Sequence, residues 1–288
     1  MVTRNTYGSI NDDGDAADTD INSGYGSTIT QTPTEPHQWS MTTMLDLSST
    51  DKVISSAPNL GFDGTNFWVY FGTGRFWHAD DKTDANQQTF FGLKEPMKYD
   101  ADGNPEAFTW ETLEFVDNID PATGADIGMG TNDSGEKGLL RVDDILVQLA
   151  STARHAELTC LNTSDVADGN ALVDDLSCVP EVIRQGTAPN EEAYFESLEY
   201  YIAGNGTKTC ATHDANCADG WYKDFWPYVN RERNLGQSTL LGGLVTFTTY
   251  QPFIDPCTPE GLSNLYAVYY KTGTSWFESI FGDEGVDN

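Results

Sequence analysis

The chain has 288 residues, 45 acidic against 15 basic, for a formal net charge of -30. That charge repels nucleic acid and anionic membrane surfaces, so neither is an expected partner. With 38% hydrophobic residues, including 14 Phe, 13 Tyr and 7 Trp, the composition excludes wholesale disorder and supports a sizeable core.

No stretch approaches the about 18 consecutive apolar residues of a membrane span. The opening MVTRNTYGSINDDGDAADTD has no apolar run of the signal-peptide kind. Residues 5–36 are rich in Asn, Asp, Gly, Ser and Thr and read as a long exposed loop. Within it Asn11, Asp13 and Asp15 fall at every second position, with Asp18 and Asp20 behind. Hard oxygen ligands at that spacing suit calcium, although acidic solvated turns are the commoner use of such runs.

Residues 52–77, KVISSAPNLGFDGTNFWVYFGTGRFW, predict a hairpin turned at Asp63-Gly64. In the second strand Phe67, Val69 and Phe71 face one way and Trp68 and Tyr70 the other. Apolar residues on both faces predict a strand covered on both sides. GTGR has neither the Lys-Ser/Thr of a phosphate loop nor the third glycine of a dinucleotide turn. Gly72 and Gly74 instead permit a sharp turn at a strand end. His78-Ala79-Asp80-Asp81 has acid-base residues, but a loop histidine beside aspartates reads as surface. QQTFFGLKEP predicts the next strand.

Residues 100–136 are loop-like, with AFTWETLEFV as a strand pair or edge. Asp100, Asp102 and Asn104 repeat the calcium spacing, with Glu111 at the twelfth position. Pro105 stands where an EF-hand needs glycine, so the register departs from that motif. In residues 138–157, Leu139, Val142, Ile145, Leu146, Leu149 and Ala153 recur at helical spacing and predict a helix. A second helix is predicted over 191–203, with Tyr194, Leu198, Tyr201 and Ile202 inward and Gly204 past its end.

The five cysteines, Cys160, Cys178, Cys210, Cys217 and Cys257, contain no CxxC pair, which disfavours a structural zinc site. Their loop-like surroundings favour disulfides and an oxidising compartment. GWYKDFWPY, then STLLGGLVTFTTYQPF about a Gly-Gly turn, then LYAVYYKTGTSWF with a Thr-Gly turn, restore the β pattern. Short strands between glycine turns predict a mainly β fold of the sandwich, barrel or propeller kind. The two helices and the middle cysteines form an insertion on it. There is no GxSxG elbow, no Cys-His protease signature and no HxxxH pair, so no catalytic constellation is read.

Two blocks, in order, resemble the C-terminal β-propeller domain of the PilY1/PilC family of type IV pilus biogenesis proteins. The first runs from Trp68 through Phe71, Gly72, Thr73, Gly74 and Arg75, then Gln88 to Leu93. The second has Gly220-Trp221-Tyr222, Val245 to Tyr250, Pro252, Asp255-Pro256-Cys257, Gly261, Ser263, Leu265-Tyr266-Ala267 and Thr272-Gly273. The match covers about residues 50–95 and 218–275. It divides the chain into an acidic loop and lead-in (1–49), propeller blade elements (50–99 and 218–288) and a helix-containing, disulfide-bearing insertion (100–217).

The resemblance implies a partial β-propeller, exported to the cell surface or a pilus tip, with a role in pilus assembly and adhesion and no enzymatic activity. It implies pilin or minor pilins as partners, together with the remaining N-terminal part of the same protein or a separate subunit. The family's calcium loop lies upstream of the first block, and NDDGDAADTD matches it in composition but not register. The family's cysteine pattern suggests Cys217–Cys257, with Cys160–Cys178 in the insertion and Cys210 left over; a local Cys210–Cys217 closure is the competing pairing. The alternatives are a structural subunit of an extracellular filament and an exported propeller enzyme.

Overall fold

A computed structural model describes residues 43–64, 66–95, 97–99, 105–110, 113–114, 139–149, 156–160, 176, 178–187, 190–204, 218–225, 231–255 and 261–276. The chain separates into two compact units, Met1–Asp46 with Pro96–Glu114 and Leu47–Glu95 with Phe115–Asn288. In the smaller unit, β1 (Leu45–Asp46) runs parallel to β7 (Leu113–Glu114), and β5 (Met97–Tyr99) pairs antiparallel with β6 (Pro105–Trp110).

The larger unit carries two main sheets. One joins β2 (Asn59–Phe62), β3 (Phe67–Gly72), β4 (Thr89–Lys94), β13 (Gly220–Asp224) and β8 (Leu139–Arg141), in that order. All its neighbours are antiparallel except β13 and β8. The other is built on β16 (Leu244–Pro252), which pairs with β14 (Arg233–Asn234), β15 (Thr239–Leu241) and β17 (Gly261–Tyr269). Smaller hairpins join β9 (Ile145–Leu149) to β10 (Ala156–Cys160) and β11 (Gln185–Thr187) to β12 (Asn190–Glu192). One α-helix, α1 (Phe195–Ala203), and 3-10 turns at Ala79–Lys82 and Glu181–Ile183 complete the described elements. The fold is mainly β and its sheets are open.

The alternation of β3 sets the layers. Its partners put Trp68 and Tyr70, Phe90 and Gly92, and Trp221 on one face, and Val69, Phe71, Phe91 and Tyr222 on the other. The first face meets the four-stranded sheet, where Phe90 stacks on Phe247 at 3.8 Å between ring centroids. Val245 and Val268, with Leu198 and Ile202 of α1, belong to the same buried cluster. The β2–β3 hairpin turns at Asp63-Gly64 as expected, with Asp63 N–H donating to Asn66 O. Gly242 and Gly243, at φ 61° and 85°, make the two-residue turn between β15 and β16.

Among the described residues of 138–157, where a helix is expected, none is helical. Leu139–Arg141 pairs in parallel with β13, Val142 N–H donates to Tyr222 O, and the chain then turns through Asp143-Asp144 into β9. The apolar spacing satisfies a helix and this arrangement alike, and tertiary pairing decided it. Period two was readable just downstream: Ala156, Leu158 and Cys160 are buried and Glu157 is exposed. The second helix forms over Phe195–Ala203, shorter than the expected 191–203, with Leu198 and Ile202 buried and Tyr201 packed half-buried on the core as expected, and with Phe195 buried as well. Tyr194 is instead the extended N-cap, with its hydroxyl on Glu192. Lys94 Nζ, buried, donates to Ile202 O and Ala218 O at 2.7 and 2.8 Å, placing a cation at the carbonyl end of α1.

Candidate functional site

The motif residues meet at one junction between the two sheets. Trp221 is fully buried, its Nε1–H donating to Tyr270 O at 3.0 Å, an oxygen that also accepts from the Tyr70 hydroxyl at 3.1 Å. A side chain at Gly92 or at Gly273 would occupy the space of the Trp221 indole. The ring thus packs against two glycines, one from each of the two chain segments of the larger unit. Gly72 and Gly74 face Asn234 and Arg233 of β14 in the same way, and Gly74 stands at φ 141°. Thr73 closes the joint: its N–H donates to Thr89 O at 2.8 Å and its carbonyl accepts from Asn234 N–H at 2.9 Å.

Beyond the motif the loop is held by buried ions. Asp81 accepts from Arg75 Nε at 2.9 Å, Trp77 N–H at 2.7 Å and His78 N–H at 2.8 Å. Burial would raise its carboxyl, but the two backbone donors and the Arg75 guanidinium outweigh that and hold it below the usual carboxylate range. His78 and Asp80 stay exposed, as the surface reading expected. Arg233 reaches across to the same loop, donating to Arg75 O and Asp84 O at 2.6 and 3.1 Å, with its guanidinium 5.9 Å from the Phe76 ring.

Two polar groups escaped the sequence reading. At the end of β13, Arg141 grips Asp143 at 2.7–3.0 Å, and Asp224 accepts from Thr89 Oγ1 at 2.6 Å. Burial draws the Lys223 ammonium below the usual lysine range, against the pull of Asp143, Asp144, Asp224 and Glu232. Burial and the neighbouring Asp143 raise Asp144. Opposite signs lie together here, so the group is a mutually compensating ion cluster sealing the strand end. In the second group Glu232 is buried and accepts from Thr249 Oγ1, Asn264 Nδ2 and Tyr266 OH, the last two at 2.9 Å. Asp143 is local to Arg141, but Thr89 reaches Asp224, and Thr249, Asn264 and Tyr266 reach Glu232, from other strands, and no local motif announces those contacts.

Cys160 and Cys178 form a disulfide. Cys210, Cys217 and Cys257 lie outside the described residues, as do the calcium candidates Asn11, Asp13, Asp15, Asp100, Asp102, Asn104 and Glu111. Asp255 is exposed, its carbonyl accepting from Lys82 Nζ at 3.3 Å. Among the described residues, no group of three or more His, Cys, Asp or Glu is placed to hold a metal ion. No helix among them is long and apolar enough to cross a membrane.

No protein-family model matches the chain, and no curated protein matches it. Among solved structures it is similar to the C-terminal domain of Pseudomonas aeruginosa PilY1, at 17% identity and a TM-score of 0.36. The alignment covers 77% of this chain and 32% of that one, so the chain spans about a third of its length. The likeness is a weak one at the level of the fold, and no ligand or partner follows from it.

Proposed function

We propose that this chain is a non-enzymatic, pilus-associated binding module, corresponding to the C-terminal propeller part of a type IV pilus tip, assembly and adhesion factor. The observation that carries the reading is the ordered pair of motif blocks, Trp68 to Leu93 and Gly220 to Gly273. Residues 94–219 separate them, yet β4 and β13 are direct neighbours, and Trp221 is seated by Gly92 and Gly273. This is what blocks belonging to one architecture would do, and it supports a packing role for Gly92 and Gly273. The Cys160–Cys178 link is compatible with export to an oxidising compartment.

In this reading the partners are pilin or minor pilins and an N-terminal part of the same protein or a separate subunit. Calcium is the proposed ion, on the acidic loops at 11–15 and 100–111. The test is to label the chain on intact cells and sheared fibres and locate it by electron microscopy. Label at one fibre end or at exit points supports the tip and assembly role. Label spaced along the fibre makes the chain a structural subunit instead, and absence from fibres overturns the pilus reading.

A further inference from the structure

We propose that β17 is a self-association edge, at which a second copy of this chain adds its own β17 antiparallel to extend the four-stranded sheet. A strand edge presents unpaired N–H and C=O groups, and proteins usually blunt it with short length, charge, proline or a bulge. Among the described residues the other edges of the two main sheets use the first of these. Strands β2, β8, β14 and β15 have four, three, two and three residues, and β8 also carries Arg141.

Strand β17 uses none of them. It has nine residues, GLSNLYAVY, without charge or proline, and pairs with β16 in nine uninterrupted antiparallel steps. Its only described strand partner is β16. Residues Leu262, Ser263, Asn264 and Leu265 are consecutively exposed, with Leu262 at 52% and Leu265 at 58%. A long, uncharged edge of this kind is a template for one more strand.

Charge favours an identical strand as the occupant. No Asp, Glu, Lys or Arg occurs in β15, β16 or β17, in a chain of which 21% is charged. Two copies can therefore meet here without placing like charges in contact, despite a net charge of -30 on each. The N–H and C=O of Tyr269 are taken by Thr274 O and Gly273 N–H, so the open stretch ends before it, and a two-fold axis near Leu265 pairs Ser263–Ala267 of each edge with the same residues of the other copy. The remaining opposition is long-range repulsion, which salt screens. Association should therefore strengthen as salt rises, opposite to an ion-pair interface.

Sedimentation velocity on the full chain tests this, from about 0.05 to about 0.5 M NaCl and up to about 200 µM protein. The expected result is a dimer whose dissociation constant falls with salt, and whose 262–267 amides exchange more slowly at high protein concentration. Leu265→Lys, combined with Leu262→Lys if needed, should raise that constant at least about tenfold by setting like charges opposite each other. Leu60→Lys, at a residue 66% exposed on β2, should leave it unchanged. Circular dichroism checks that each variant is folded. A chain monomeric under all these conditions, or a dimer indifferent to the β17 lysines, overturns the proposal.

Discussion

The five-stranded sheet takes its strands from residues 59–94, 139–141 and 220–224, whereas the four-stranded sheet takes all of its strands from residues 233–269. In the first, register depends on side chains that meet across long stretches of chain. Trp221 packs against Gly92 and Gly273, and a one-residue slip would turn the indole to the opposite face. In the second, all strands are close in sequence, and a two-residue turn at Gly242-Gly243 sets the register of β15 on β16. Glycine serves both sheets for different reasons. At Gly92 it leaves volume for another residue, while at Gly242 a side chain would meet only open space and the demand is on φ.

The sharpest way to break the first sheet and spare the second is Gly92→Val. The added side chain competes with the Trp221 indole at the β4–β13 contact, and we expect a loss of about 3 kcal/mol or more by urea denaturation. Pairing it with Trp221→Ala in a double-mutant cycle should show strong non-additivity, because both act on one volume. Independent effects of the two would mean that the glycine is not a socket.

Removing the Cys160–Cys178 link should cost about 3 kcal/mol, given its 18-residue separation. The link lies inside the connection between β4 and β13, so hydrogen exchange should quicken at those strands before it does at β15–β17. Uniform acceleration would show that the two sheets open as one unit.

Gly242→Ala should cost only about 1 kcal/mol, through its positive φ, and Gly242→Asn less. A calorimetric shift as large as that of Gly92→Val would erase the distinction between the two kinds of glycine.

The smallest effect concerns the loop beyond the FGTGR segment. Asp81 is held below the ordinary carboxylate range when folded, so its ionised form adds stability that is complete above the unfolded value. That stability fades as pH falls through the ordinary value of about 4 towards the lower folded one. The gap between wild type and Asp81→Asn should therefore close in acid, and a gap independent of pH would remove the carboxylate from the loop's support.

The residues themselves announced the β3 strand with both faces covered, the hairpin turns at Asp63-Gly64 and Gly242-Gly243, and the inward pattern of α1 at Leu198 and Ile202. These depend on local rules, namely period, turn chemistry and capping, which act over a few neighbouring residues. Tertiary structure decided what those rules leave open. It turned the helical spacing of Leu139, Val142 and Ile145 into β8 and β9, because β8 pairs with β13 some eighty residues later. It buried Asp81 by folding its own loop around it, and it buried Glu232 against donors that arrive from β16 and β17, where the sequence shows only two more acidic residues. It also made Gly92 and Gly273 a socket for one indole. A glycine in sequence states only that a side chain is missing, and what fills the space depends on which distant strand arrives there.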